Sequence, residues 1–174
     1  MVSASGVGDD WSIVMEVREV MLDMFEGRCL DCGGIFEIFN FPDFQYGQRI
    51  LRTAGGEDIA LLDCPHDTAM PEVSELIRNE YRGRPLKDSQ FAKLFNKVFG
   101  VVCDPIDGKT LDASRVGASC PHCKSSNINT YEIVPRVSVA VKVPIVTHKV
   151  WEQLAENQKR SLISEKLAQA RSTK

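Results

Sequence analysis

No apolar run in this 174-residue chain approaches the roughly 18 residues that a membrane-spanning helix needs, so no bilayer crossing is expected. The first ten residues hold no basic stretch leading into an apolar core, so a secretory leader is not expected either. No glycine-rich phosphate loop, no Gly-x-Ser-x-Gly elbow and no dinucleotide fingerprint occurs, which removes the commonest nucleotide and acyl-transfer motifs. Internal repeats and low-complexity linkers are missing too, and residues 1–174 therefore read as one domain.

What is present is an ordinary balance of 43% apolar and 26% charged residues, at a length that can bury a core without many cross-links. The net charge of −3 gives no global attraction for nucleic acid. Its distribution is uneven. Asp9, Asp10, Glu16, Glu19, Asp23, Glu26 and Asp31 crowd the start, whereas Arg78, Arg82, Arg84, Lys87, Lys93 and Lys97 form a basic middle. The plain reading is that the two segments attract each other or stay solvated; the other is that the basic one contacts phosphates.

Hydrophobic periodicity places the elements. Residues 11–26 read as an amphipathic helix, with Ile13, Val14, Val17, Val20, Met21 and Met24 on one face; alternation of Ile13, Met15 and Val17 makes a strand the competitor. Ile35–Phe41 is β-prone, and Arg49–Thr53 and Asp58–Leu62 flank an Ala-Gly-Gly-Glu turn as a hairpin. Helices are expected near Val73–Tyr81 and from Asp88 to a stop at Gly100. Residues 128–134 and the alternating valines 137–143 read as strands, with Pro144 at an edge or an end. Residues 148–170 read as helical, with a break near Ala155-Glu156-Asn157, and Trp151 and Leu154 either buried or forming a dimer face.

Six cysteines remain to be placed: Cys29, Cys32, Cys64, Cys103, Cys120 and Cys123. Cys29-Leu-Asp-Cys32-Gly-Gly and Cys120-Pro-His-Cys123-Lys-Ser each put two thiols on one tight turn, where they can grip a Zn²⁺ at roughly 2.3 Å. In a reducing, cytoplasmic setting, which is the expectation here, such pairs bind metal rather than cross-link.

These two segments resemble the knuckles of the zinc-ribbon (rubredoxin-like knuckle) superfamily, each leading into a strand. The resemblance covers two short pieces separated by about 90 residues, far more than a compact ribbon holds. It implies an α+β fold in which a zinc-ribbon-type antiparallel sheet (28–62 and 118–146) receives a helical insertion (68–100). An N-terminal helix and a C-terminal one (148–170) flank it.

A rival ligand set stays open. Cys64-Pro65-His66-Asp67 echoes Cys-Pro-His-Cys, so Cys64, His66 or Asp67 could join the first pair, leaving Cys103, Cys120 and Cys123 to seek His122 or His148. Plain burial is the alternative for Cys64 and Cys103. A redox Cys-x-x-Cys belongs at a helix start, and here Gly-Gly and a strand follow. A deaminase-type zinc centre would need a His-x-Glu, which is not found. Asp104-Pro-Ile-Asp-Gly-Lys lacks the ligands of a calcium loop and reads as a turn. Phe36, Phe39, Phe41, Phe44 and Tyr46 are a stacking platform or, at strand spacing, core.

The resulting expectation is a non-enzymatic, cytoplasmic Zn²⁺ protein whose ribbon supports a surface for a protein or a nucleic acid. The alternative is a metal-dependent enzyme with an incomplete Cys/His site.

Overall fold

The computed structural model describes residues 16–42 and 46–172. Among these, two antiparallel sheets and a helical layer make an α+β structure. The longest element is strand β1, Val17–Cys29, where a helix is expected from the periodicity. Residues 11–15 of that expected helix lie outside the described residues. From Val17 onward the local pattern fits either period, and long-range pairing on both edges of β1 decides for the strand. On one edge β2, Ile35–Asn40, pairs with Asp23–Arg28. On the other, β6 (Ile128–Glu132) and β7 (Ser138–Pro144) lie end to end, β6 against Phe25–Cys29 and β7 against Val17–Asp23. Opposed charges face each other in this register at Glu19 and Lys142.

The glycine turn closes a hairpin of β3, Gln48–Thr53, and β4, Ile59–Asp63. This hairpin does not extend the first sheet; with the short β5, Leu111–Asp112, it makes a second one. Period-two alternation then gives it two buried faces. Ile50, Ile59 and Leu61 pack with Leu22 and Val143 of the first sheet. Leu51, Ala60 and Leu62 face helices α1 (Ala69–Glu80), α2 (Asp88–Phe99), α3 (Lys149–Glu152) and α4 (Glu156–Ser172). The order of layers is thus helices, hairpin sheet, long-strand sheet.

Val73 and Ile77 of α1, Phe95, Val98 and Phe99 of α2 and Ile163 and Leu167 of α4 are buried in the helical layer. Each such side chain contributes on the order of 1.5–3 kcal/mol by leaving water. Trp151 is buried there as well and is not a free face. Its indole N–H donates to Glu72 at 2.7 Å, and Lys159 donates to the other carboxylate oxygen at 2.8 Å. Asp104 accepts from Thr147 Oγ1 and from the backbone of Lys149 and Val150, so the suspected turn serves to start α3. Burial opposes its charge, but these three donors outweigh burial and hold its carboxyl below the usual range. No described helix is long and apolar enough to cross a membrane.

Candidate metal centre

The two cysteine pairs sit on turns with the same hydrogen bonds at the same offsets. In the first, Gly33 N donates to Cys29 O at 2.9 Å and Cys29 N to Gly34 O at 2.9 Å. In the second, Lys124 N donates to Cys120 O at 2.9 Å and Cys120 N to Ser125 O at 2.8 Å. The residue after the second cysteine is left-handed in both, Gly33 at φ 74° and Lys124 at φ 65°. Gly34 answers a different need: a Cβ there would stand 2.7 Å from the His122 ring. Asp31 ties one turn to the other, accepting from Ser125 Oγ at 2.5 Å and Asn127 Nδ2 at 2.9 Å. These bonds hold its carboxyl below the usual range.

Pairing of β1 with β6 brings the turns together at one end of the sheet. Cys29 Sγ lies 3.5 Å from Cys123 Sγ, Cys32 Sγ lies 3.5 Å from Cys120 Sγ, and all four sulfurs fall within 4.8 Å of one another. A disulfide would need about 2.05 Å, and all six cysteines are free. Four sulfurs at roughly 2.3 Å from one tetrahedral zinc would stand about 3.8 Å apart, close to what is seen. Cys29 and Cys120 are buried, and Cys32 and Cys123 are exposed.

The charge balance agrees with a cation. Burial works against the Cys120 thiolate, but backbone N–H groups of Cys123 and His122, with the adjacent thiols, bring it down to about 6. A backbone contact from Ser125 favours the Cys123 thiolate, yet the sulfurs of Cys32 and Cys29 push it up to about 12. Four thiols this close do not all ionise unaided, and a divalent ion would let them.

The rival ligands are engaged elsewhere. Cys64–His66 forms a 3₁₀ turn leading into α1 rather than a knuckle between strands. His66 meets Asp63 at 3.0 Å. Asp67 accepts from Met70 N and from His148 Nε2, both at 2.7 Å. Cys103 is buried with its thiol 3.5 Å from the Phe99 carbonyl, and burial pushes its pKa up. Among the described residues the four-cysteine group is the one set of three or more ligand atoms within reach of a common ion.

The basic residues lie along α1, its loop and α2. Arg78 stacks over Phe91 at 5.1 Å and Arg82 donates to Asn79, while Arg84, Lys87, Lys93 and Lys97 are exposed. Among the described residues none of these six forms a salt bridge; the acids Glu16–Asp31 do not cover them, and Asp23 is held by Arg136 instead. Of the aromatic run, half-buried Phe39 and Phe41 pack between the sheets, Phe36 is half-buried, Tyr46 is exposed, and Phe44 lies outside the described residues.

Fold and site together define an α+β protein with a four-cysteine cluster capable of holding a metal ion. The chain matches no protein-family model, no curated protein and no solved structure.

Proposed function

We propose that this chain is a structural zinc protein of the zinc-ribbon kind. In this reading Cys29, Cys32, Cys120 and Cys123 hold one Zn²⁺, and the rest of the molecule presents a macromolecular interaction surface. The observation that carries it is the convergence of four free sulfurs from two turns of identical hydrogen-bonding pattern. With four sulfur ligands the ion has no open position for substrate or water, so its role is to fasten the chain, not to catalyse. A reducing compartment such as the cytoplasm suits four thiolate ligands. Residues 1–174 are read as one domain, because Leu61 and Leu62 of a single strand serve both buried layers.

Of the two partner classes, the salt-bridge-free cations Arg78, Arg82, Arg84, Lys87, Lys93 and Lys97 favour nucleic acid. Two measurements test the proposal. Elemental analysis should find one zinc per chain; none, or two, would overturn the single four-cysteine site. Binding to a mixed-sequence oligonucleotide should fall at least tenfold between about 50 and 200 mM salt. Absence of binding at the lower salt would remove the nucleic-acid reading and leave a protein partner.

A further inference from the structure

Arg52 lies next to the end of β3, only 4% exposed, where a sheet between two apolar layers ordinarily carries a hydrophobic side chain. Its Nη2 donates to the Phe39 carbonyl and to Asn40 Oδ1, each at 3.2 Å. Both acceptors are neutral. Among the described residues no carboxylate lies within salt-bridge distance of this guanidinium. Burying a charge without a partner is among the least favourable arrangements in a protein.

A second cation stands beside it. Arg115 donates through Nη1 to Ser119 Oγ at 2.7 Å, and its Nε is enclosed with no hydrogen-bond partner. It is the one such buried side-chain nitrogen or oxygen among the described residues. Burial first, and then the Arg115 charge, lower the Arg52 pKa from its usual value. The two guanidiniums therefore repel, and no carboxylate pairs directly with either among the described residues.

The pair adjoins a cavity of about 180 Å³ between β2 and the β3–β4 turn, lined by Phe36, Phe39, Arg52, Gly56 and Ser119 among others. Arg115 reaches its edge: a Cβ on Gly56 would stand 2.9 Å from Arg115 Nη1. Two carboxylates also line it, but Glu37 is exposed to water and Glu57 is taken by Lys109 and Lys124. The cavity is below the size of a site for an extended organic ligand, and it suits a small ion with a few waters.

We propose that this cavity is a binding site for a phosphate-type oxyanion, held by the charge of Arg52 with Arg115 at its edge. Arg52 Nη2 is spent on Phe39 and Asn40, so the guanidinium offers its uncompensated charge and its remaining N–H groups, and the neighbouring Arg115 adds charge and an unused N–H. Ser119 and Pro121 of the cavity lining flank Cys120, so the site adjoins the second cysteine turn, but no cysteine lines it. It lies where β2 of the ribbon-like sheet meets the hairpin sheet, so the ion would join the two layers.

The test is calorimetric titration of phosphate-free protein with sodium phosphate, against sodium chloride at equal ionic strength. Saturable one-to-one binding is expected. Arg115→Met should weaken it at least tenfold; because the substitution removes the Ser119 bond as well as the unpartnered nitrogen, the melting temperature of the unliganded protein is read alongside to show that the variant is folded. Arg52→Lys, which keeps the charge and loses the remaining guanidinium N–H groups, should weaken it by a similar factor. Methyl phosphate run in parallel identifies the source: tighter binding than phosphate marks the end of a phosphorylated molecule, weaker binding a free ion, and both support the site. No saturable binding by about 10 mM, which means a Kd well above ~1 mM, overturns it. So does undiminished affinity in Arg115→Met.

Discussion

His148 Nε2 lies 2.7 Å from Asp67 Oδ2, joining residues 81 positions apart in a contact where both side chains are almost wholly buried. The other ring nitrogen faces the Val102 carbonyl at 2.8 Å. With an acceptor at each nitrogen, the doubly protonated ring satisfies both bonds and the neutral ring only one. The contact ties the start of α1 to the segment that opens α3, and neither nitrogen is left for a substrate.

A pH dependence follows from that pair. Burial lowers the His148 pKa, but Asp67, the Val102 carbonyl and Asp104 outweigh it, so the folded value stands above the ordinary 6.5. A raised folded pKa means stabilisation that is complete below about 6.5 and fades as pH climbs through the folded value. Thermal melts should therefore show the wild type losing stability from near-neutral to mildly alkaline pH. His148→Gln should cost about 3 kcal/mol at pH 6 and flatten that slope. A slope that survives the substitution would assign the effect to another group.

The four cysteines divide from the other two by metal retention. Cys29→Ser and Cys120→Ser should lose zinc under conditions where the wild type keeps it, and that end of the long-strand sheet should loosen with it. Cys64→Ser and Cys103→Ala should keep a full equivalent of metal, since neither thiol is near the cluster. Mass spectrometry of the native proteins distinguishes these outcomes, and zinc loss from Cys64→Ser would reopen the rival ligand set.

Glu72 carries two buried partners, Trp151 and Lys159. Glu72→Ala leaves the ammonium of Lys159 enclosed without a counter-charge, at a cost of about 3 kcal/mol. Glu72→Gln keeps an acceptor for the indole and should cost nearer 1 kcal/mol. Urea unfolding followed by Trp151 emission should give this order; equal costs would show that the charge on Glu72 does not matter.

The left-handed residue of the first turn offers a graded test. Nothing stands within 4 Å of a Cβ built on Gly33, so a substitution there meets only backbone strain. Gly33→Ala should weaken zinc binding by about 1–2 kcal/mol, close to tenfold, in a chelator competition. Gly33→Asn, which tolerates that conformation better, should weaken it less. If both behaved as the wild type, the turn would not be what positions Cys29 and Cys32.

Much of this was legible in the chain because the signals were local. The Ala-Gly-Gly-Glu turn between two β-prone runs became β3 and β4, the phenylalanine stripe after Asp88 became α2, and alternating valines became β7. The break near Ala155 separates α3 from α4. What could not be read locally was decided by partners distant in sequence. Val17 to Glu26 carries an apolar face at helical spacing, and only hydrogen bonding to β2, β6 and β7 makes it a strand. The echo at Cys64-Pro65-His66-Asp67 misleads for the same reason, since no second strand arrives to turn it into a knuckle. Arg52, Arg115 and the Asp67–His148 pair had no motif at all; their meaning lies in burial, which spacing does not reveal.

Cys32 and Cys120 are 88 positions apart, with the whole hairpin sheet and helices α1 and α2 between them in the chain. In a free chain the second pair of sulfurs would meet the first only rarely, at a low effective concentration. The β1–β6 register removes that search, so part of the affinity of the four-cysteine cluster for a metal ion belongs to residues outside it. On the proposed zinc reading, a lesion at Glu72 or His148 is then also a lesion in metal retention, with loss of the ion an early symptom of unfolding far away.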